Sequence, residues 1–269
     1  MNATSTTLSP ASARRRDQTW DHLAVLVSRN LRTSARVPQL LMFSLTMPMA
    51  MLVLFSQVFR SVADAPAFPV GVSYIDFLTP AMLAISTVMA GTNAGVAAAI
   101  DHANGLHDRF STLPMSSWMP GLARTVNETV MSLARAALLL AAATALGFRF
   151  RGNLVDAGEG LVVVLVLAAA MSALFGEIGD RLRRPDVVQF AGMMIMMPLM
   201  FVSAAFAPLS TMPGWLRTVA AVNPVAHAVD ALRGNVLGTA TATDSAPALV
   251  AAVALWAVVL VFRAGARAR

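Results

Sequence analysis

The residues of this chain that could carry out covalent chemistry are few and scattered. Its four histidines, His22, His102, His107 and His227, have no HExxH spacing that would gather a metal ion. No GxSxG turn presents a serine nucleophile, and there is no cysteine to act as nucleophile, thiolate ligand or disulfide partner. A membrane hydrolase therefore finds no constellation to work with. Lysine is absent too, so a phosphate loop of the form GxxxxGK followed by Ser or Thr cannot be assembled.

What the sequence offers instead is charge and shape. Asp101 to Ser117 is a short polar segment between long apolar stretches. Leu106, Phe110 and Leu113 recur in it at helical spacing while His107, Asp108 and Arg109 face elsewhere, which predicts a stubby amphipathic helix entered at Gly105 and stopped by Pro114. Its apolar face has nothing of its own to cover. That face reads equally as a docking knob for a soluble partner or as a connector lying on lipid headgroups. A second set of ionisable groups, Glu128 and Arg135, lies seven residues apart on one helical face, with Arg124 a turn earlier. Charges at membrane depth face a protein interior or a wet cavity. A structural ion pair with a snorkelling arginine is preferred here over a charge lining a transport path.

The elements that must position these residues follow from composition. Apolar residues make up 57% of the chain and charged residues only 13%, with a mean hydropathy of +0.66, whereas soluble domains are about a quarter charged. This is the composition of an integral membrane protein. Six stretches, 39–59, 78–100, 125–147, 160–178, 187–207 and 246–262, are about twenty residues long, enough to cross a bilayer core. With the N-terminus inside, fourteen of the twenty arginines fall on the cytoplasmic side, five outside and one, Arg135, within a span. That asymmetry predicts both termini in the cytoplasm. The net charge of +6 then expresses topology and attraction to anionic lipid, with no nucleic-acid partner expected.

Four domains of behaviour are expected: a disordered cytoplasmic tail over 1–16, an interfacial amphipathic helix over 17–38, a six-helix transmembrane domain over 39–262, and a basic cytoplasmic tail over 263–269. In the interfacial helix, Trp20, Leu23, Val27 and Leu31 share one face and Arg29, Arg32 and Arg36 the other. The charges of Glu177 to Asp186 read as solvated at headgroup level. Met193, Met194, Met196, Met197 and Met200 read first as filler between helices and second as an adaptable lipophilic surface. Small residues at Gly91–Gly95 and Gly176–Gly179 predict close helix packing. Phe206 to Arg233, divided by Pro208, Pro213 and Pro224, predicts short helical pieces that dip into the outer leaflet or cap the bundle.

The order of these features resembles the membrane subunit of a type-2 ATP-binding-cassette exporter, in the branch of daunorubicin/doxorubicin-resistance permeases. The resemblance is carried by Tyr74-Ile75-Asp76-Phe77-Leu78-Thr79-Pro80 at the second span, by the segment with Gly105, Arg109, Phe110, Leu113 and Pro114, and by Phe206, Pro208, Met212-Pro213, Trp215-Leu216, Asn223-Pro224 and Ala231-Leu232-Arg233 before the last span. One departure is Ala81 after Pro80, where many relatives have glycine. The resemblance implies an all-α membrane protein of six transmembrane helices, with an N-terminal surface helix and a short cytoplasmic coupling helix. It implies that Gly105, Leu106, Arg109, Phe110, Leu113 and Pro114 fit a cleft on a separate ATPase subunit, and that two permease subunits pair, identical or not. It further implies outward movement of a lipophilic drug, lipid or glycolipid through the cell membrane; sister families move polysaccharides. No cofactor is expected on this chain, since ATP would be used by the partner. The competing reading is an ion-coupled carrier, which would call for inverted repeats and acidic residues at mid-membrane.

Overall fold

The computed structural model describes residues 23–34, 36–61, 68, 71–106, 118–203, 205, 212–239 and 245–267, and every long element among them is helical. Helix α1 covers 23–34. It is followed by α2 (Pro38–Val58), α3 (Tyr74–Ala103), α4 (Met119–Ala145), α5 (Leu154–Leu182), α6 (Pro185–Val202), the short α7 (Gly214–Ala220), α8 (Pro224–Leu237) and α9 (Ala246–Arg267). The predicted tail over 1–16 and residues 17–22 lie outside the described residues.

Local chemistry sets the boundaries. Ser73 caps α3 by accepting from the Asp76 backbone N–H at 3.3 Å. Asn153 and Asp156 form a reciprocal capping box that starts α5. Proline at the first turn opens α2, α4, α6 and α8, where its missing N–H leaves nothing unsatisfied. Asn223 caps α8 through a 2.9 Å bond from the Val225 N–H, and its amide also donates to the Leu199 carbonyl at 2.8 Å, tying α8 to the end of α6.

Five helices among the described residues are long and apolar enough to cross a membrane: Leu41–Val58, α3, α4, α5 and α6. The fourth predicted span, 160–178, is too short by several residues at both ends. The apolar run stops at Glu177 and begins after Glu159, but the capping box and the helical turn to Leu182 carry the helix through those charges. The sixth predicted span coincides with α9, whose described apolar stretch is Ala246–Ala257.

Helix α3 is the axis of the molecule, buried along nearly its whole length. It packs most extensively on α5, and the small-residue expectation explains how. A side chain on Gly95 would stand 2.5 Å from the Phe175 carbonyl oxygen, and one on Gly179 would run into the Gly95 carbonyl. Two backbones therefore touch directly, which no larger residue permits. Helices α2, α4, α6 and α8 surround this pair, and α9 closes against α5 and α8.

The methionine expectation is corrected. Met196 and Met200 pack on the core, but Met193, Met194 and Met197 are exposed by 56%, 56% and 50%, beside exposed Phe190 and Phe201. Helix α6 touches only one side of the bundle, so its outer stripe fills no gap between helices. The same is true of α2, where Met42, Phe43 and Met47 are exposed.

Candidate functional site

Helix α3 carries a polar site at each end. At its C-terminal end Gly105 adopts φ +65°, a left-handed turn that suits glycine, and its N–H donates to the His102 carbonyl at 3.0 Å. The chain therefore leaves α3 at the residue where the amphipathic helix was expected to be entered, with Leu106 half-buried. Arg109, Phe110, Leu113 and Pro114, the other expected coupling residues, lie outside the described residues.

Immediately beneath this turn, Arg124 of α4 reaches two carboxylates. Its Nη2 lies 3.5 Å from Asp101 Oδ2 on α3, and its Nη1 lies 3.4 Å from Asp180 Oδ1 on α5. His102 Nε2 stands 3.4 Å from the same Asp180 oxygen. One guanidinium, 11% exposed, thus links the ends of three spanning helices. Asp180 had been read as part of a solvated loop; α5 continues one turn further than the apolar pattern, which carries this carboxylate back against α3 and α4. Nothing local in sequence signals the link, because the partners are 23 and 56 positions apart. Helix α1 joins the same end through a hydrogen bond between Ser34 and Asn127 at 3.2 Å. Between α1 and the network lies a polar cavity of about 240 Å³ that Arg29, Asn30, Asp101 and Arg124 help to line.

Further along α4, Arg135 donates to Glu128 at 2.8 Å, both largely buried. The expected ion pair forms. The snorkelling arginine does not: Arg124 is 11% exposed and turned onto Asp101 and Asp180, and Arg135 is only 6% exposed.

At the N-terminal end of α3 the arrangement is tighter. Asp76 is 2% exposed. Its carboxylate accepts the Arg149 backbone N–H at 2.9 Å and pairs with Arg151 at 3.4 Å, while Arg151 also donates to the Gly71 carbonyl at 2.7 Å. The Arg151 N–H donates to Val236 of α8 at 2.9 Å, so the connection between α4 and α5 is fastened to both α3 and α8. Beside it the Arg233 guanidinium lies 3.6 Å from the centre of the Phe77 ring, within a cluster that includes Tyr74 and Phe68. Burial pulls the Arg233 guanidinium down to about 10, with Asp230 and Tyr74 opposing. Burial pushes the Asp230 carboxyl up, against the pull of Arg233 and His227.

Two segments noted separately in sequence, Tyr74 to Pro80 and Ala231 to Arg233, therefore meet in space through Phe77 and Arg233. The family comparison agrees with what they suggest: the model of the ABC-2 type transporter family matches residues 21–237 of the 269. The chain belongs to that family.

Similarity to individual members is spread along the chain. A daunorubicin resistance ABC transporter permease protein, DrrB1, of Streptomyces coeruleorubidus is 30% identical over 79% of this chain and 74% of its own length. A putative transport permease, ycf38, of Porphyra purpurea is 24% identical over 78% of this chain and 72% of its own. A probable doxorubicin resistance ABC transporter permease, DrrC, of Mycobacterium tuberculosis is 27% identical over half of this chain and 48% of its own. This family member is thus a multi-pass membrane permease subunit of an ABC exporter, and ATP hydrolysis belongs to a separate ATPase subunit.

Proposed function

We propose that this permease moves lipophilic compounds, drug-like molecules or lipids, outward across the cell membrane, driven by an ATPase that docks on Gly105, Leu106, Arg109, Phe110, Leu113 and Pro114. The observation that carries the reading is the position of Arg124. The proposed docking segment leaves α3 within one turn of Asp101, and Arg124 joins Asp101 to Asp180. A push on the segment would reach α3, α4 and α5 together and tilt them as bodies. The differential contacts that drive this lie between permease and ATPase, as any ligand-driven shift demands.

The arginine asymmetry supports a topology with both termini and the Gly105 end in the cytoplasm, α9 as the sixth span, and the Tyr74 end outside. Helix α1 then lies in the inner membrane surface with Arg29 and Arg32 exposed to headgroups, and both 1–16 and the basic segment 263–269, which begins within α9, lie on the cytoplasmic side. The exposed apolar stripes of α2 and α6 are covered by lipid or by the second permease subunit, identical or similar. The chain holds no cofactor of its own in this scheme. The names of the drug-resistance relatives favour lipophilic cargo over polysaccharide.

The test is co-purification from native cells in mild detergent, with Leu106→Asp and Phe110→Asp as variants. A stoichiometric ATPase that is lost in both, together with efflux, supports the reading. Unchanged association and efflux would overturn the assignment of the segment. Transport that collapses with the proton gradient at constant ATP would restore the ion-coupled carrier.

A further inference from the structure

The cavity of about 240 Å³ between α1 and the Arg124 network holds both signs of charge in its wall. Most of its polar groups already have partners. The Thr33 hydroxyl donates to the Arg29 carbonyl at 2.9 Å, Ser34 and Asn127 bond each other, Glu128 holds Arg135, and Arg124 is spent on Asp101 and Asp180. What remains unpaired lies on opposite sides. On α1, the exposed Arg29 guanidinium has no ion pair and the half-buried Asn30 amide no hydrogen bond among the described residues. On α3, Asp101 is 40% exposed and meets Arg124 through Oδ2 alone, so its Oδ1 accepts nothing among the described residues. The balance of charge follows the same division. Asp101, Asp180 and Glu128 meet only two guanidiniums, Arg124 and Arg135, so with histidine neutral one negative charge is left over opposite the positive Arg29. A partly desolvated charge draws a counter-ion, and here one of each sign is called for.

We propose that this cavity is a headgroup site for an inner-leaflet phospholipid carrying a primary amine. The phosphate takes the Arg29 guanidinium and the Asn30 amide, and the ammonium donates to Oδ1 of Asp101. The inference rests on the proposed placement of α1 and the Gly105 end at the inner membrane surface, where such a zwitterion is at hand. Leu26 and Pro120 add apolar wall, and exposed Ala97, one turn deeper on α3 than Asp101, opens the cavity towards the acyl chains. A choline headgroup brings the positive charge but no N–H to donate. A glycerol headgroup brings hydroxyls but no positive charge, and leaves the surplus of Asp101 and its neighbours uncompensated. Once bound, the lipid ties α1 to the end of α3 beside Arg124, in addition to the bond between Ser34 and Asn127.

The test titrates the delipidated full-length permease in detergent with dioleoyl phosphatidylethanolamine, its N-methyl and N,N-dimethyl derivatives, phosphatidylcholine and phosphatidylglycerol, reading bound lipid by native mass spectrometry. Affinity should drop at least about five-fold between the dimethyl and choline lipids, where the last N–H and its charge-assisted hydrogen bond disappear. Asp101→Asn should bring that ratio close to one. Arg29→Gln, at an exposed position that does not threaten the fold, should weaken all the amine and choline lipids by at least about three-fold while preserving the ratio. Soluble O-phosphoethanolamine at the same concentration should displace none of them. A flat methylation series in the native protein, or a ratio unmoved by Asp101→Asn, would overturn the proposal. Phosphatidylglycerol binding as tightly as phosphatidylethanolamine would reduce the site to attraction of anions by Arg29 and overturn it as well, and displacement by the soluble compound would overturn the membrane source. The underlying placement is read separately: Arg32→Cys should react with a membrane-impermeant maleimide only after cells are opened. Labelling in intact cells would overturn that placement, whereas a flat lipid series beside an inner position 32 would overturn the headgroup site alone.

Discussion

The two ends of α3 are built on opposite plans. At the Tyr74 end, Asp76 is sealed from solvent and held by a backbone N–H at 2.9 Å, and Arg233 lies on an aromatic ring. At the Gly105 end, the charges meet at 3.4 to 3.5 Å, and Asp101 and Asp180 remain 40% and 29% exposed. Short, desolvated bonds have one geometry and are costly to break, whereas long, partly solvated ion pairs exchange partners for little free energy. The difference teaches where motion within one subunit can begin. The Tyr74 end fastens α3, α8 and the α4–α5 connection into a block, and the Gly105 end links α3, α4 and α5 loosely, next to the segment proposed to meet the ATPase.

Phe110→Asp should have the largest effect and should fall on one end alone. A charge in the apolar face is expected to abolish ATPase capture and efflux while the permease melts normally, as read by co-purification and a thermal scan. Asp76→Ala tests the other end: it leaves the Arg149 N–H and Arg151 without their buried acceptor and should cost about 1–3 kcal/mol of stability. ATPase capture should be unchanged, because the Gly105 end is untouched. Arg124→Gln sharpens the contrast. Its network is partly exposed, so stability should fall by under about 1 kcal/mol, yet efflux per ATP hydrolysed should drop severalfold as α4 is uncoupled from α3 and α5. At the Tyr74 end, a double-mutant cycle of Phe77→Leu and Arg233→Gln should return a coupling of about 0.5–2 kcal/mol from the ring and guanidinium.

The smallest effect is a pH dependence at Asp230. Its carboxyl is raised in the folded chain by burial, so the stability it contributes is complete below the ordinary carboxylate range and is lost as pH rises through the raised value. Asp230→Asn removes that loss. The melting temperature of the variant should vary less than that of the native permease between about pH 4 and neutrality.

The sequence made the Gly105 turn visible because glycine, proline and helical spacing are local signals. Membrane helices were visible through hydropathy, although α5 extends past its apolar run because a capping box and terminal charges count against hydropathy while favouring a helix. The Gly95–Gly179 contact was legible because small residues at span depth have few other reasons to be there. Arg124 was seen, and its partners were not, since Asp101 and Asp180 come from other helices and only the packing of α3 on α5 brings them together. Arg233 over Phe77 depends on the same tertiary arrangement, and no spacing in the chain announces it.

The most direct test measures both ends of one subunit through the ATPase cycle. Since the chain has no cysteine, introduced pairs label cleanly: Arg32→Cys with Leu182→Cys reports the Gly105 end, and Leu154→Cys with Val222→Cys, at the exposed positions 92% and 79% accessible, reports the Tyr74 end. Spin-label distances would be taken on labelled chains diluted with unlabelled ones, in complex with the ATPase, with and without trapped ATP. The account predicts a shift on the order of 2 Å or more at the Gly105 pair and a constant distance at the Tyr74 pair. A Tyr74 pair that moves while the Gly105 pair stays fixed would contradict it.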